Sequence, residues 1–172
     1  MRLRKGRRPM IFIKNFSSGS NTVLRISSVI ELAKTFSEVW GFVESPDRLW
    51  RLVPTVSAFS SIPIDNASYS ISETHSILFF QEQYYGVLRI NAKRAMWVMS
   101  NAPGQPGVFS CPHTVVYRVE PKGKKALLYF SCIVKLSRAL SIPLVRGVVQ
   151  FIIRIETVRF LSRIKSSIES RS

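Results

Sequence analysis

The order of local signals along this chain predicts an α+β domain in which a curved antiparallel sheet wraps around one long C-terminal helix. Three observations carry that expectation. Strand-like segments across residues 56–136 are separated only by short turns, which permits antiparallel pairing but leaves no helix-length crossover for parallel pairing. Two short helix signals lie between this meander and a β-branched run at 22–30. The chain then ends in a helix-length segment, 143–170, whose first half is apolar around most of its circumference. A helix of that kind is covered on several sides.

In chain order, residues 1–21 read as a basic flexible tail that ends in Ser17-Ser18-Gly19-Ser20-Asn21, and the domain occupies 22–172. Residues 22–30 are its first strand. Thr35-Phe36-Ser37-Glu38 has capping-box spacing, with Phe36, Val39, Trp40 and Val43 following at helical intervals. Ser45-Pro46-Asp47 begins a second helix, with Ser45 as N-cap and Pro46 in the first turn, and Pro54 ends it. The meander strands are expected at 56–62, 68–71, 76–83, 87–99, 108–119 and 126–136. Turn-formers separate them at Asp65-Asn66, Tyr85-Gly86, 102–107 and 121–124. On a helical wheel of the last segment, Val148, Phe151, Ile152, Ile155 and Val158 share one face, opposed by Arg146, Gln150, Arg154 and Thr157.

Composition supports one domain with a full core: 172 residues, 46% hydrophobic and 11% aromatic. Charge is lopsided, with 25 Lys plus Arg against 10 Asp plus Glu, a formal net charge of +15. Such a field favours polyanions: RNA, the ribosome or an acidic membrane surface. The candidate contacts are Arg2, Arg4, Lys5, Arg7 and Arg8 in the tail, Arg89 and Lys93 on a strand, and Lys122, Lys124 and Lys125 at a turn. The alternative is a solvated basic surface. Aromatics are not interleaved with these cations, so sequence-specific nucleic-acid reading is not expected. No apolar run reaches the length of about 20 residues that spans a bilayer. The Arg-rich, acid-free N-terminus fits a tail on a cytoplasmic protein, with organelle targeting as the alternative. Cys111 and Cys132 lack zinc-site or redox spacing and read as two buried thiols, a disulfide being the other possibility.

Catalytic patterns are absent. Only His75 and His113 occur, far apart and next to no Cys or carboxylate in a recognisable pattern, and there is no phosphate loop or nucleophile elbow. Catalytic residues, metal and cofactor are therefore not expected. His113 and Tyr117 alternate with Cys111 and Val115 on one strand face. If that face is concave, they are polar handles in an apolar pocket; otherwise His113 is hydrogen-bonded on the outer face. Arg159 near the apolar helix face reads as a cation for a ligand carboxylate or phosphate, or as a snorkelling side chain. Phe130, Val134, Met96, Val98, Phe151 and Ile155 are the expected apolar lining.

Residues 36–56, from Phe36-Ser37-Glu38-Val39-Trp40 through Ser45-Pro46-Asp47-Arg48-Leu49-Trp50 to Pro54-Thr55-Val56, carry a likeness to a known pattern. Val115-Val116-Tyr117-Arg118-Val119-Glu120-Pro121, ahead of a glycine turn, extends it. Together they resemble the START-like superfamily, also called SRPBCC or helix-grip, which includes polyketide cyclases and coenzyme Q-binding proteins. The similarity covers roughly residues 23–170. It implies a cavity between sheet and C-terminal helix for a hydrophobic small molecule such as a lipid, quinone or polyketide. The fold hosts carriers, cyclases, hydratases and ribosome-associated proteins, so no single activity follows. A non-catalytic carrier is the expected function, with a ribosome- or RNA-associated protein and a cyclase or hydratase as alternatives.

Overall fold

The computed structural model describes residues 10–18, 21–77, 80–105 and 111–170. Eight strands form one antiparallel sheet: β1 (Met10–Ser18), β2 (Asn21–Leu32), β3 (Val56–Pro63), β4 (Ser68–Ile77), β5 (Phe80–Asn91), β6 (Met96–Pro103), β7 (His113–Lys122) and β8 (Lys125–Leu136). Two short helices, α1 (Phe36–Val43) and α2 (Pro46–Trp50), separate β2 from the meander, and α3 (Pro143–Glu169) closes the chain. The strand order is β1-β2-β8-β7-β6-β5-β4-β3. The meander is therefore interrupted once, where β8 returns to pair with β2. The predicted fold class is the one observed.

Local chemistry explains the boundaries. Thr35 and Glu38 form the reciprocal capping box, with the Thr35 amide donating to Glu38 Oε2 at 2.8 Å and the Glu38 amide donating to Thr35 Oγ1 at 3.4 Å. Pro46 opens α2 as expected, but Ser45 makes no side-chain cap; its carbonyl accepts from the Arg48 and Leu49 amides instead. Between β7 and β8 the two-residue turn is Gly123-Lys124, with φ +59° at Gly123, the conformation a type II′ hairpin requires of its first central residue.

Four expectations need correction. Residues 10–18, read as tail, are an edge strand paired with β2 from Met10↔Val29 to Ser18↔Asn21. The basic residues that suggested a tail are confined to residues 2–8, outside the described residues, whereas Ile13 packs against the core and Phe12 and Lys14 point outward. Tyr85-Gly86, read as a turn, lies inside β5. A Cβ on Gly86 would stand 2.2 Å from the Ser100 carbonyl oxygen and 2.8 Å from Asn101 Cα, so this glycine serves close backbone approach to β6. The single strand expected at 87–99 is split by a 3₁₀ turn at Ala92–Arg94 and by Ala95 at φ +43°, with the Asn91 side chain accepting from the Arg94 amide. That turn reverses the chain and changes which parity faces inward. Even positions such as Tyr84 and Leu88 are buried in β5, but odd ones, Trp97, Met99 and Asn101, are buried in β6.

The fourth correction concerns α3. Its buried residues are Thr157, Phe160, Leu161, Ile164 and Ile168, all in the second half. In the first half Leu144 is 83%, Val148 55% and Phe151 64% exposed. The expected face through Phe151 and Ile155 is thus rotated away from the sheet. The apolar residues surround the helix too evenly to choose a face, and Thr157 can be buried because its hydroxyl donates to the Ile153 carbonyl at 2.7 Å.

The grip itself is aromatic. Trp50 of α2 and Trp97 of β6 have ring centroids 5.7 Å apart; Trp97 meets Tyr117 of β7 at 4.3 Å, and Tyr117 meets Phe130 of β8 at 5.3 Å. Phe160 of α3 lies edge-on to Tyr117 and Phe130 at 6.2 and 6.1 Å. Pairs of this kind each contribute about 0.5–1.5 kcal/mol beyond area burial. The indole of Trp97 donates to the Val43 carbonyl at 2.9 Å and ties α1 to the sheet.

Candidate functional site

Beyond this aromatic layer the inner face of the sheet and α3 diverge, and a cavity of about 420 Å³ remains. That is within the range of roughly 300–1,000 Å³ typical of small-molecule sites. Its walls are Val115, Tyr117, Phe130, Cys132 and Val134 from β7 and β8, Val149, Ile152, Ile153 and Phe160 from α3, and Trp50 and Val53 beyond α1. Val148 lines the cavity and is also largely exposed, so the space reaches solvent beside the first half of α3.

One end of the cavity is polar. Tyr84 donates its hydroxyl proton to Glu82 Oε2 at 2.7 Å and accepts from the Cys111 amide at 3.1 Å. Burial first, and Glu82 second, push the Tyr84 phenol well above its ordinary range. Burial also raises both cavity thiols, Cys111 to about 11 and Cys132 to about 12. Neither is a thiolate at neutral pH, and both are free cysteines.

Next to this pair lies a fully buried carboxylate, Glu73 of β4. His75 follows two residues on, so strand alternation puts both side chains on the inner face. His113 reaches the same carboxylate from the start of β7. Glu73 Oε1 is 3.2 Å from His75 Nε2 and 3.3 Å from His113 Nε2. Asn101 of β6 donates to Oε1, and the Trp50 indole donates to Oε2. Burial alone would raise the Glu73 carboxyl; the adjacent His113 and His75 outweigh it and hold it at about 2. The side-chain atoms of Glu73, His75 and His113 that could ligate a metal lie within 4.8 Å of one another. His75 and His113 line the cavity, so the cluster borders the ligand space.

Sequence reasoning saw neither the cluster nor its carboxylate. The signal is the Glu73-Thr74-His75 alternation, but Ser72 to His75 is polar and falls between the strands expected at 68–71 and 76–83. Of the expected lining, His113, Tyr117, Phe130 and Val134 do border the cavity. Met96 and Val98 do not: they occupy the outward parity of β6, and Trp97 and Met99 take the inward one. Phe151 and Ile155 do not line it either, because of the rotation of α3. Arg159 is exposed, does not line the cavity, and pairs with the cavity-lining Glu156 at 2.9 Å. Among the expected polyanion contacts Arg89, Lys93, Lys122, Lys124 and Lys125 are exposed, but Lys122 and Lys125 both clasp Glu31, at 2.6 and 2.5 Å. Arg2, Arg4, Lys5, Arg7 and Arg8 lie outside the described residues. No helix among the described residues is long and apolar enough to cross a membrane.

No protein-family model matches the sequence, and no curated protein matches it. Solved structures match in shape. A protein of Thermus thermophilus superposes with a TM-score of 0.70 at 10% identity, covering 86% of this chain and 99% of that one. The Zhui aromatase/cyclase of a Streptomyces species gives 0.68 at 9% identity, covering 87% and 95%. Norcoclaurine synthase of Thalictrum flavum gives 0.62 at 14% identity, covering 91% and 100%. At such identities the likeness shows the fold alone. It is the helix-grip fold, the fold that the resemblance in residues 36–56 and 115–121 implies.

Proposed function

We propose that this helix-grip chain binds a hydrophobic small molecule, of lipid, quinone or polyketide character, in the cavity between sheet and α3, and acts as its carrier. The observation that carries the reading is a cavity of about 420 Å³ with apolar and aromatic walls and one polar end. Cavities lined this way gain affinity from apolar burial and take orientation from a few convergent polar groups. Here those groups are His113, His75 and the Tyr84–Glu82 pair, suited to a carbonyl or hydroxyl at one end of the ligand. The exposed apolar edge of α3 at Val148 supplies an entry route.

Native mass spectrometry and solvent extraction of the purified protein are expected to recover an apolar compound. Titration with lipids and quinones is expected to change Trp50 fluorescence, since Trp50 lines the cavity. Val149→Trp, which fills the cavity from α3, is expected to abolish that response while leaving the far-ultraviolet circular dichroism unchanged. A protein free of extractable compound and silent to every apolar titrant would refute the carrier reading.

The buried His75–Glu73–His113 cluster favours a second reading, a cyclase or hydratase whose acid–base groups are these histidines. Once a ligand is known, its chemical conversion by the wild type and not by His113→Ala distinguishes enzyme from carrier.

A further inference from the structure

The polar contacts around Glu73 bring two imidazoles to one carboxylate oxygen and leave two buried atoms without a partner among the described residues. His113 Nδ1 is 3.0 Å from the Cys111 carbonyl oxygen, which only accepts, so Nδ1 carries the proton. His113 Nε2 lies 3.0 Å from Asn101 Nδ2 and 3.3 Å from Glu73 Oε1. His75 lies against the same carboxylate oxygen, with Nε2 3.2 Å from it and Nδ1 3.2 Å from the Thr55 hydroxyl, which can donate or accept. The other carboxylate oxygen is occupied by the Trp50 indole. Asn101 Nδ2 is the one neutral donor placed between Oε1 and His113 Nε2 among the described residues. Two buried side-chain polar atoms in the described residues lack a hydrogen bond, His75 Nε2 and Asn101 Oδ1, and both belong to this cluster. Asn101 is only 7% exposed.

We propose that Glu73, His75 and His113 form a binding site for a divalent first-row transition metal ion on the wall of the cavity. Metal–nitrogen and metal–oxygen bonds of about 2.0–2.2 Å place adjacent ligand atoms about 3–3.4 Å apart. The two carboxylate–imidazole separations, 3.2 and 3.3 Å, fall in that span. Histidine ligands characteristically anchor their second ring nitrogen on a carbonyl, carboxylate or water, which fixes the tautomer that ligates. Cys111 O does this for His113, and the Thr55 hydroxyl takes the equivalent place at His75. Imidazole with carboxylate suits zinc, iron, cobalt or nickel rather than copper(I), and neither cavity thiol belongs to the cluster. Rotation of the Asn101 amide would exchange its donor for the orphaned Oδ1 and offer a fourth ligand atom, an oxygen. His75 and His113 both line the cavity, so an ion held by them would lie within reach of a ligand oxygen there. The site stands on these contacts and does not depend on what fills the apolar space.

The test uses the full chain, stripped with a chelator and titrated separately with cobalt(II) and zinc(II). The expected result is one ion per chain, with visible cobalt d–d absorption of an imidazole–carboxylate site and a zinc-dependent rise in the thermal midpoint. His113→Ala and His75→Ala are each expected to weaken binding at least about 100-fold. Thr55→Val, which leaves every ligand in place, should weaken it about tenfold, as loss of an outer-shell partner does. Because Glu73 variants risk misfolding, circular dichroism accompanies each variant and Thr55→Val carries the argument if a ligand variant unfolds. Failure of the wild type to take up either ion, or unchanged affinity in folded His75→Ala and His113→Ala, overturns the proposal. Extraction of an apolar compound is unaffected by either outcome, so the two readings fail separately.

Discussion

Replacing Phe160 by alanine tests the seat of α3 directly. The ring is 5% exposed and stands edge-on to Tyr117 and Phe130, 6.2 and 6.1 Å away. Burying a phenylalanine side chain is worth about 1.5–3 kcal/mol, and truncation adds a term for the hole left behind, for about 3–5 kcal/mol in all. One side of the Phe160 ring already borders the cavity, so the lower end, about 3 kcal/mol, is expected here. For a chain of this length each kcal/mol moves the thermal midpoint by about 2–4 °C, so the loss should appear as roughly 10 °C. Phe151→Ala is the matched control. It removes the same atoms from the same helix at a ring that is 64% exposed, and should change stability by less than about 0.5 kcal/mol. Urea unfolding of the two variants side by side is the assay, with equal m-values confirming a common unfolded reference. Equal losses, or a larger loss at Phe151, would mean that the helix presents its other face to the sheet, and the cavity described above would not exist.

Three further outcomes follow from particular contacts. Thr35→Ala should cost about 1 kcal/mol through loss of the α1 cap, measured by denaturation; no change would mean the capping box is inert. Gly86→Ala should destabilise by about 1–3 kcal/mol and speed amide exchange in β5 and β6, because its Cβ would meet the Ser100 carbonyl at 2.2 Å. Normal exchange with full stability would contradict that close approach. The Glu31 carboxyl, accepting from Lys122 and Lys125, is lowered from 4.5 to about 2. Its folded value lies below the unfolded one, so the clasp stabilises fully above pH 4.5 and is lost as pH falls toward 2, with salt weakening it throughout. Carboxyl titration by nuclear magnetic resonance should show a midpoint that rises in Lys125→Ala; an ordinary midpoint in the wild type excludes the clasp.

Much of the architecture was legible because its signals are local. The Thr35–Glu38 box, Pro46 and the glycine turn between β7 and β8 declare themselves within four residues, where backbone hydrogen bonding and steric limits act. Alternation placed His113, Tyr117 and Phe130 on one face, since the pleat repeats every two residues wherever the strand is unbroken. The misreadings share a cause. Gly86 resembles a turn until a neighbouring strand is seen to need the room, and the turn at Ala92–Ala95 inverts the parity that Met96 and Val98 were assigned. The wheel of α3 is apolar nearly all round, so packing against Tyr117 and Phe130, not periodicity, selects Phe160 over Phe151. Glu73, His75 and His113 show the same division most sharply. A polar run such as Ser72 to His75 resembles a loop in one dimension, since a carboxylate can be buried only where donors from other segments meet it. Trp50, Asn101 and His113 come from α2, β6 and β7, and only folding the sheet brings them around that carboxylate.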